Sequence, residues 1–252
     1  MLSNKVRQSP DVKGISIFGQ EIKLGQFADD TNFFCSGVTS VENALNIVNE
    51  FSRFSGLNLN LKKTKAMWLG KWASNDMKPL KLKWVKSPTK ILGTYVSYDE
   101  VGNNNFNFNL KIQKLQSNLD MWKSRALTLY GKVLIIKSLG ISQLVRSFSN
   151  CCIPRGILGT VKTKLFKFLW NNKSHKIKRE GIYENYDKGG LRMIDIDLTA
   201  KSLRLVWISR LLQSGASNWS IIPNYFFNKC GGLNFLLRCD YDSKYLRRTK
   251  VL

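Results

Sequence analysis

Apolar and polar positions along this chain follow two different rhythms, with the change near residue 103. Before it, short apolar runs alternate with turn residues. Ile15-Ser16-Ile17-Phe18 is followed by Gly19-Gln20, then Glu21-Ile22-Lys23-Leu24, then the stretch from Gly25 to Phe34. Residues 26–28 and 31–35 read as two strand halves meeting at a tight turn built on Asp29 and Asp30. A helix follows: Thr39 with Glu42 makes a capping box, Gly56 is a stop, and Val41, Leu45, Val48, Phe51 and Phe54 share one face. Leu57-Asn58-Leu59-Asn60-Leu61 alternates with period two and Ala66-Met67-Trp68-Leu69 is a second apolar run. With Lys62-Lys63-Thr64-Lys65 between them, the pattern predicts strand, basic turn, strand. Residues 70–90 are loop-like and basic, with Lys71, Lys78, Lys81, Lys83, Lys86 and Lys90 against the lone acid Asp76. Residues 90–98 read as a strand around Gly93, and Gly102-Asn103-Asn104-Asn105 closes this part.

Beyond residue 103 the period becomes helical. Phe108, Ile112, Leu115, Leu119 and Trp122 step by four, three, four and three, which makes one apolar stripe. A second helix over about 128–144 carries Leu129, Val133, Ile136 and Leu139, and residues 156–170 and 199–213 are further helices. Two strand-like pieces, 181–186 and 190–195, flank a Lys188-Gly189-Gly190 turn. The fold class expected is α+β: antiparallel hairpins plus one helix over 1–103, a mainly helical part over 104–150, and a basic mixed segment over 151–252.

Composition adds a partner. Forty Lys and Arg against 17 Asp and Glu leave 40 − 17 = +23 on 252 residues, and 43% apolar with 12% aromatic residues is ample for a core. The chain therefore folds and meets a polyanion. Its single histidine, His175, lies in a basic stretch, which excludes Ser-His-Asp and Cys-His triads and His-rich metal sites. Cys35, Cys151, Cys152, Cys230 and Cys239 are odd in number and lack Cys-x-x-Cys spacing, so neither a disulfide framework nor a zinc ribbon is indicated, and a reducing compartment is expected. No run approaches a membrane span and residues 1–10 are too polar for a signal-peptide core. The expected location is intracellular, nucleus or cytoplasm, not secreted, with at most a charge-mediated hold on an anionic surface.

The densest chemical signal is Phe27-Ala28-Asp29-Asp30. Adjacent carboxylates at a hairpin tip can hold divalent cations for phosphoryl transfer; adjacent Asp in a turn are also ordinary turn formers. The surrounding words resemble the reverse transcriptases of LINE-type (non-LTR) retrotransposons. Phe27-Ala28-Asp29-Asp30 matches their [YF]-A-D-D box, followed by the helix and then Ser55-Gly56-Leu57-x-x-Asn60-x-x-Lys63-Thr64, Trp68-x-Gly70 and Ile91-Leu92-Gly93. Trp122-x-x-Arg125-x-Leu127-x-Leu129-x-Gly131-Lys132 resembles the thumb, and Phe168-Leu169-Trp170 with Lys173 and Gly189-Gly190-Leu191 the segment after it.

The resemblance implies an RNA-directed DNA polymerase using Mg2+, an RNA template and a DNA primer. Asp29 matches the metal-coordinating Asp of the box and Asp30 its supporting neighbour. Lys63 matches a lysine that assists proton transfer to the leaving pyrophosphate, a solvated turn lysine being the alternative. Leu92 and Gly93 match the hairpin that grips the primer end. Lys111, Lys114, Lys123, Arg125 and Lys132 would contact the template-primer duplex from the thumb-like helices, a solvated helix face being the alternative for each, and Lys162, Lys164, Lys167, Lys173, Lys176, Lys178 and Arg179 form a later basic run suited to nucleic acid. The chain departs from the family pattern before the box: Asp11 is only 18 positions before Asp29, too close to be the other palm aspartate with a nucleotide-pocket segment between them. The expectation is a fragment, late palm, thumb and following segment, inactive alone; a nucleic-acid-binding module without catalysis and a non-functional relic are the alternatives. The relic reading rests on the missing palm strand, which would leave a hairpin edge unpaired.

Overall fold

The computed structural model describes residues 1–174, 176–213 and 218–239. The first helix, α1 (Leu2–Gln8), is followed by the hairpin β1 (Ile15–Ile17) and β2 (Gln20–Ile22) and the hairpin β3 (Leu24–Phe27) and β4 (Asp30–Phe33). Then comes the long helix α2 (Val38–Ser55). A short parallel bridge joins β5 (Lys65–Ala66) to β6 (Lys83–Trp84), and β7 (Thr89–Ile91) pairs antiparallel with β8 (Thr94–Val96). The remainder is helical: α3 (Glu100–Asn104), α4 (Leu110–Lys123), α5 (Leu129–Ile135), α6 (Ser142–Asn150), α7 (Ile157–Leu169), α8 (Arg179–Tyr183), α9 (Ile196–Gln213), α10 (Ile221–Lys229) and α11 (Leu233–Arg238). Among the described residues every sheet has two strands. The chain is α+β, as its two rhythms predict.

Two compact units divide the chain. The first comprises Met1–Thr64, Pro79–Lys81 and the described residues from Gln213 onward. Its core is small: Val6, Val12, Leu24 and Ala44 are buried, with Leu2, Phe33, Cys35 and Ile47 packed against them. α2 does not start at a Thr39 capping box. Gly37 is the N-cap, and it is Ser40, one turn inside the helix, whose hydroxyl is engaged, accepting from the Lys13 N–H at 3.1 Å. The buried stripe is Ser40, Ala44 and Val48, at steps of four, while Phe54 is 90% exposed. Small side chains line that face because α1 packs on it. The helix ends where expected, at Gly56 with φ +70°. Residues 57–61 form no strand: Asn60 accepts from the Lys63 and Thr64 N–H groups and turns the chain there, leaving Leu57 and Leu61 exposed. At the other end of the unit, the Phe18 ring at the β1–β2 turn stacks on Tyr225 of α10, centroids 3.5 Å apart.

The second unit, Lys65–Lys78 with Leu82–Leu212, holds the larger core. Phe108, Ile112, Leu115 and Leu119 from the first long helical stretch meet Val133, Ile136, Leu144 and Phe148 from the next, and Val161, Leu165 and Leu169 of α7. Residues 100–123 run continuously helical, with π-spaced turns over Asn105–Asn109. Asp99 caps the start, accepting from the Val101 and Gly102 N–H groups, so residue 103 lies inside a helix and not at a break. Residues 129–150 are likewise one helical stretch, π-spaced over Ile136–Ile141. The strands expected at 181–186 and 190–195 are not formed. Ile182 lies in α8, and the returning segment donates from Leu191 and Met193 to the Ile182 carbonyl without building a ladder. Gly190 makes that approach possible, since a Cβ there would sit 2.1 Å from the Glu184 carbonyl oxygen.

Candidate active-site hairpin and basic surfaces

The β3–β4 ladder pairs Leu24 with Phe33, Gly25 with Asn32, Gln26 with Thr31 and Phe27 with Asp30. Its loop is therefore the two residues Ala28 and Asp29, one position earlier than the Asp29–Asp30 turn expected from the sequence, because Asp30 pairs with Phe27 as the first residue of β4. Leu24, 4% exposed, and Phe33 anchor the base of the hairpin in the small core, so the opposite end projects into water. Phe27, Ala28, Asp29 and Asp30 are all exposed, and Ala28 holds φ +51°, a sparsely populated conformation for a residue with a Cβ. Neither Asp29 nor Asp30 is engaged by a cation among the described residues. The tip presents two neighbouring carboxylates with open oxygens, a donor pair for a hard cation.

Two carboxylates on one turn do not make a two-metal centre. A clamp on both the attacking and the leaving oxygen needs further oxygen donors held opposite. Among the described residues no group of three or more His, Cys, Asp and Glu side chains comes together. Asp11 sits in the turn after α1, where its carbonyl accepts from the Asn43 amide, and it does not join the pair. Lys63 is exposed in the Asn60 turn.

In the second unit the β7–β8 hairpin turns at Leu92 and Gly93, both with positive φ, +45° and +84°. Two buried or half-buried amides hold this hairpin to the 100–123 helix. Asn107, 2% exposed, donates from Nδ2 to the Tyr95 carbonyl at 2.8 Å and accepts at Oδ1 from the Tyr95 N–H at 2.9 Å. Asn103 donates to the Ser97 carbonyl at 2.9 Å. The Arg146 side chain lies over the turn, so close that a Cβ on Gly93 would be 2.9 Å from its Cδ and Nε. Lys111 lies near by, donating to the Ser147 hydroxyl at 2.7 Å. Burial lowers its ammonium from the usual lysine range, and the charges of Lys90 and Arg146 act in the same direction. Neither Asn107 nor Arg146 is visible in the sequence as a site residue: one sits in an Asn-rich stretch that reads as a linker, the other is one cation among forty.

The basic residues expected to face nucleic acid divide into three groups. Lys114, Lys123, Lys167, Lys173, Lys176 and Lys178 are exposed, and Arg125 and Arg179 are exposed while resting on the rings of Trp122 and Phe166, at 4.3 and 4.7 Å. Lys162 is bonded to Asp197, Lys164 donates to Gln116 at 3.0 Å and Lys111 to Ser147, so these three are partly committed inside the fold. Lys132 is withdrawn from the surface altogether. It is 6% exposed and its ammonium donates to the Leu169 carbonyl at 3.1 Å and to Asn171 Oδ1 at 2.8 Å, capping the C-terminal end of α7. A cation in that position serves the helix end, because carbonyls there lack intrahelical donors. Among the described residues no helix is long and apolar enough to cross a membrane.

Comparison with known proteins places a family on part of this framework. The chain is 27% identical over 120 residues to a putative ribonuclease H protein of Arabidopsis thaliana, an alignment covering 44% of this chain and 19% of that protein. The chain thus spans about a fifth of the length of this curated relative. Residues 2–96, which carry the Phe27-Ala28-Asp29-Asp30 tip and the β7–β8 hairpin, match the reverse transcriptase (RNA-dependent DNA polymerase) family.

Proposed function

We propose that this chain is the late-palm and thumb-like portion of a LINE-type reverse transcriptase, which holds an RNA template and a DNA primer through its exposed cations and does not polymerise by itself. One observation carries the reading: within a segment matched to the reverse transcriptase family, Asp29 and Asp30 stand at the open tip of a two-residue hairpin, unneutralised in a chain of net charge +23. Such a tip suits a role in phosphoryl transfer, since its carboxylates are free to accept. The donor set is incomplete, so Mg2+ binding at Asp29 and Asp30 alone is weak and in-line geometry is not formed. Leu92 and Gly93, fastened from below by Asn107, form a rigid turn suited to a primer end. Lys114, Lys123, Arg125, Lys167, Lys176 and Lys178 supply phosphate neutralisation.

Primer extension on an RNA template with a DNA primer and Mg2+ tests the inertness. No synthesis is expected; Mg2+-dependent synthesis abolished by Asp29→Ala overturns it. Binding of a labelled RNA–DNA duplex, followed by anisotropy over a salt series, tests the rest. Each phosphate contact removed by Lys167→Glu, Lys176→Glu or Lys178→Glu lowers the slope of log K against log salt by about 0.9. A slope unaltered by all three sinks the binding role.

A further inference from the structure

The loop between β5 and β6 carries charge and aromatic rings that neither the Asp29 hairpin nor the thumb-like helices use. Trp68 and Trp84 stack with centroids 4.3 Å apart and planes 20° from parallel, and the Trp68 indole N–H donates to the Met77 carbonyl at 2.9 Å. Those two rings tie the loop to β6, and that bond ties Trp68 to the far side of the loop. Trp72 is different: it lies 6.1 Å from Trp68, tilted by 36°, and remains 46% exposed with the Lys71 ammonium 5.8 Å over its ring. The same loop carries Lys78, exposed like Lys71, and Asp76, its lone acid, is bonded by Lys86. The cavity lined by Trp68, Met77, Lys78 and Trp84, about 30 Å3, has room for a water and not for a ring, so a planar ligand has only the outer surface of the loop.

We infer that Trp72, with Lys71 and Lys78 of the same loop, is a contact site for single-stranded nucleic acid, on which a base stacks against the indole while the neighbouring ammonium groups pair with its phosphates. An exposed indole next to unpaired lysines matches what an unstacked strand offers, a flat π face at each base and a charge at each linkage. A duplex offers only the charges, because its base faces are covered. An anionic bilayer also attracts Trp and Lys, but the aliphatic side chains this loop exposes beside Trp72 are Leu69 and Met77 alone, too small a face for acyl chains, which favours the strand. The inference stands apart from the polymerase reading: loss of duplex binding elsewhere leaves it intact.

The test uses the full chain and a 5′-labelled 12-nucleotide oligouridine, with a blunt RNA–DNA duplex of equal length beside it. Trp72→Ala is expected to weaken oligouridine binding about tenfold, within the range for one stacked base, and Trp72→Phe to keep it within about threefold. Duplex affinity should be unchanged by Trp72→Ala. Lys71→Glu with Lys78→Glu, two exposed side chains outside the Trp68–Trp84 stack, should flatten the salt dependence for oligouridine even if Trp72→Ala lowers the melting temperature. Oligouridine binding insensitive to both sets of changes overturns the inference, as does an equal loss on duplex. Trp72-dependent binding to phosphatidylserine vesicles with none to oligouridine reassigns the surface to membrane and equally overturns it.

Discussion

Asn107→Ala removes the more buried of the two amides that fasten the β7–β8 hairpin to the long helix, leaving the Asn103 bond to the Ser97 carbonyl in place. Asn107 makes both hydrogen bonds available on Tyr95, at 2.8 and 2.9 Å, and is 2% exposed while Tyr95 is half-buried. Each such bond contributes about 1 kcal/mol net, and the two orphaned backbone groups recover only part of their hydration, so the variant loses about 2–3 kcal/mol of hairpin docking. If the hairpin opens locally, amide exchange over residues 89–98 accelerates roughly 30- to 160-fold, the exponential of that loss. If instead the whole unit unfolds together, the urea midpoint falls by about 1 M, taking a slope of about 2–3 kcal/mol per M. Asn107→Leu should do no better than alanine, because an apolar side chain of similar size leaves Tyr95 just as unpaired. Exchange within about threefold of the parent together with an unchanged urea midpoint, or full protection in the leucine variant, would refute the reasoning.

Gly93→Ala is expected to cost about 1 kcal/mol, from forcing a Cβ into φ +84°, with the nearby Arg146 chain giving way at small cost. Combining it with Arg146→Ala should leave most of that loss in a denaturation series; full rescue by Arg146→Ala would mean contact and not backbone strain is responsible. Lys111 has its ammonium lowered from the usual lysine range by burial, with Lys90 and Arg146 adding to the effect. The unfolded chain therefore binds more protons than the folded one just below the unfolded lysine value of about 10.4, and the folded state gains as pH rises through that window. The stability of the parent relative to Lys111→Met should climb with pH in chemical denaturation between pH 7 and 10.5, and a flat or falling difference would count against it.

Period and punctuation alone determine much of this protein. The step-of-three-and-four stripe through Phe108, Ile112, Leu115 and Leu119 is a helix whose apolar face is the core, and Gly56 ends α2, because an uninterrupted stripe has one way to leave water and a positive φ has one cheap residue. A turn at this tip is legible for the same local reason, a two-residue turn between apolar runs being a short-range decision, but its register, Ala28–Asp29 with Asp30 already in β4, is set by the ladder. What the sequence could not decide are matters of partner. The alternation at 57–61 has no neighbouring strand to satisfy it, so the Asn60 turn prevails. The capping box at Thr39 loses to a start at Gly37, with Ser40 drawn into a contact with Lys13. Lys132 and Lys114 look alike as basic residues near a helix, yet one caps α7 from inside the core and the other faces water. Asn107 reads as part of a polar linker until Tyr95 lies against it. A hydrogen bond or a buried charge is a property of two places in the chain, and only the tertiary structure brings the second place to the first.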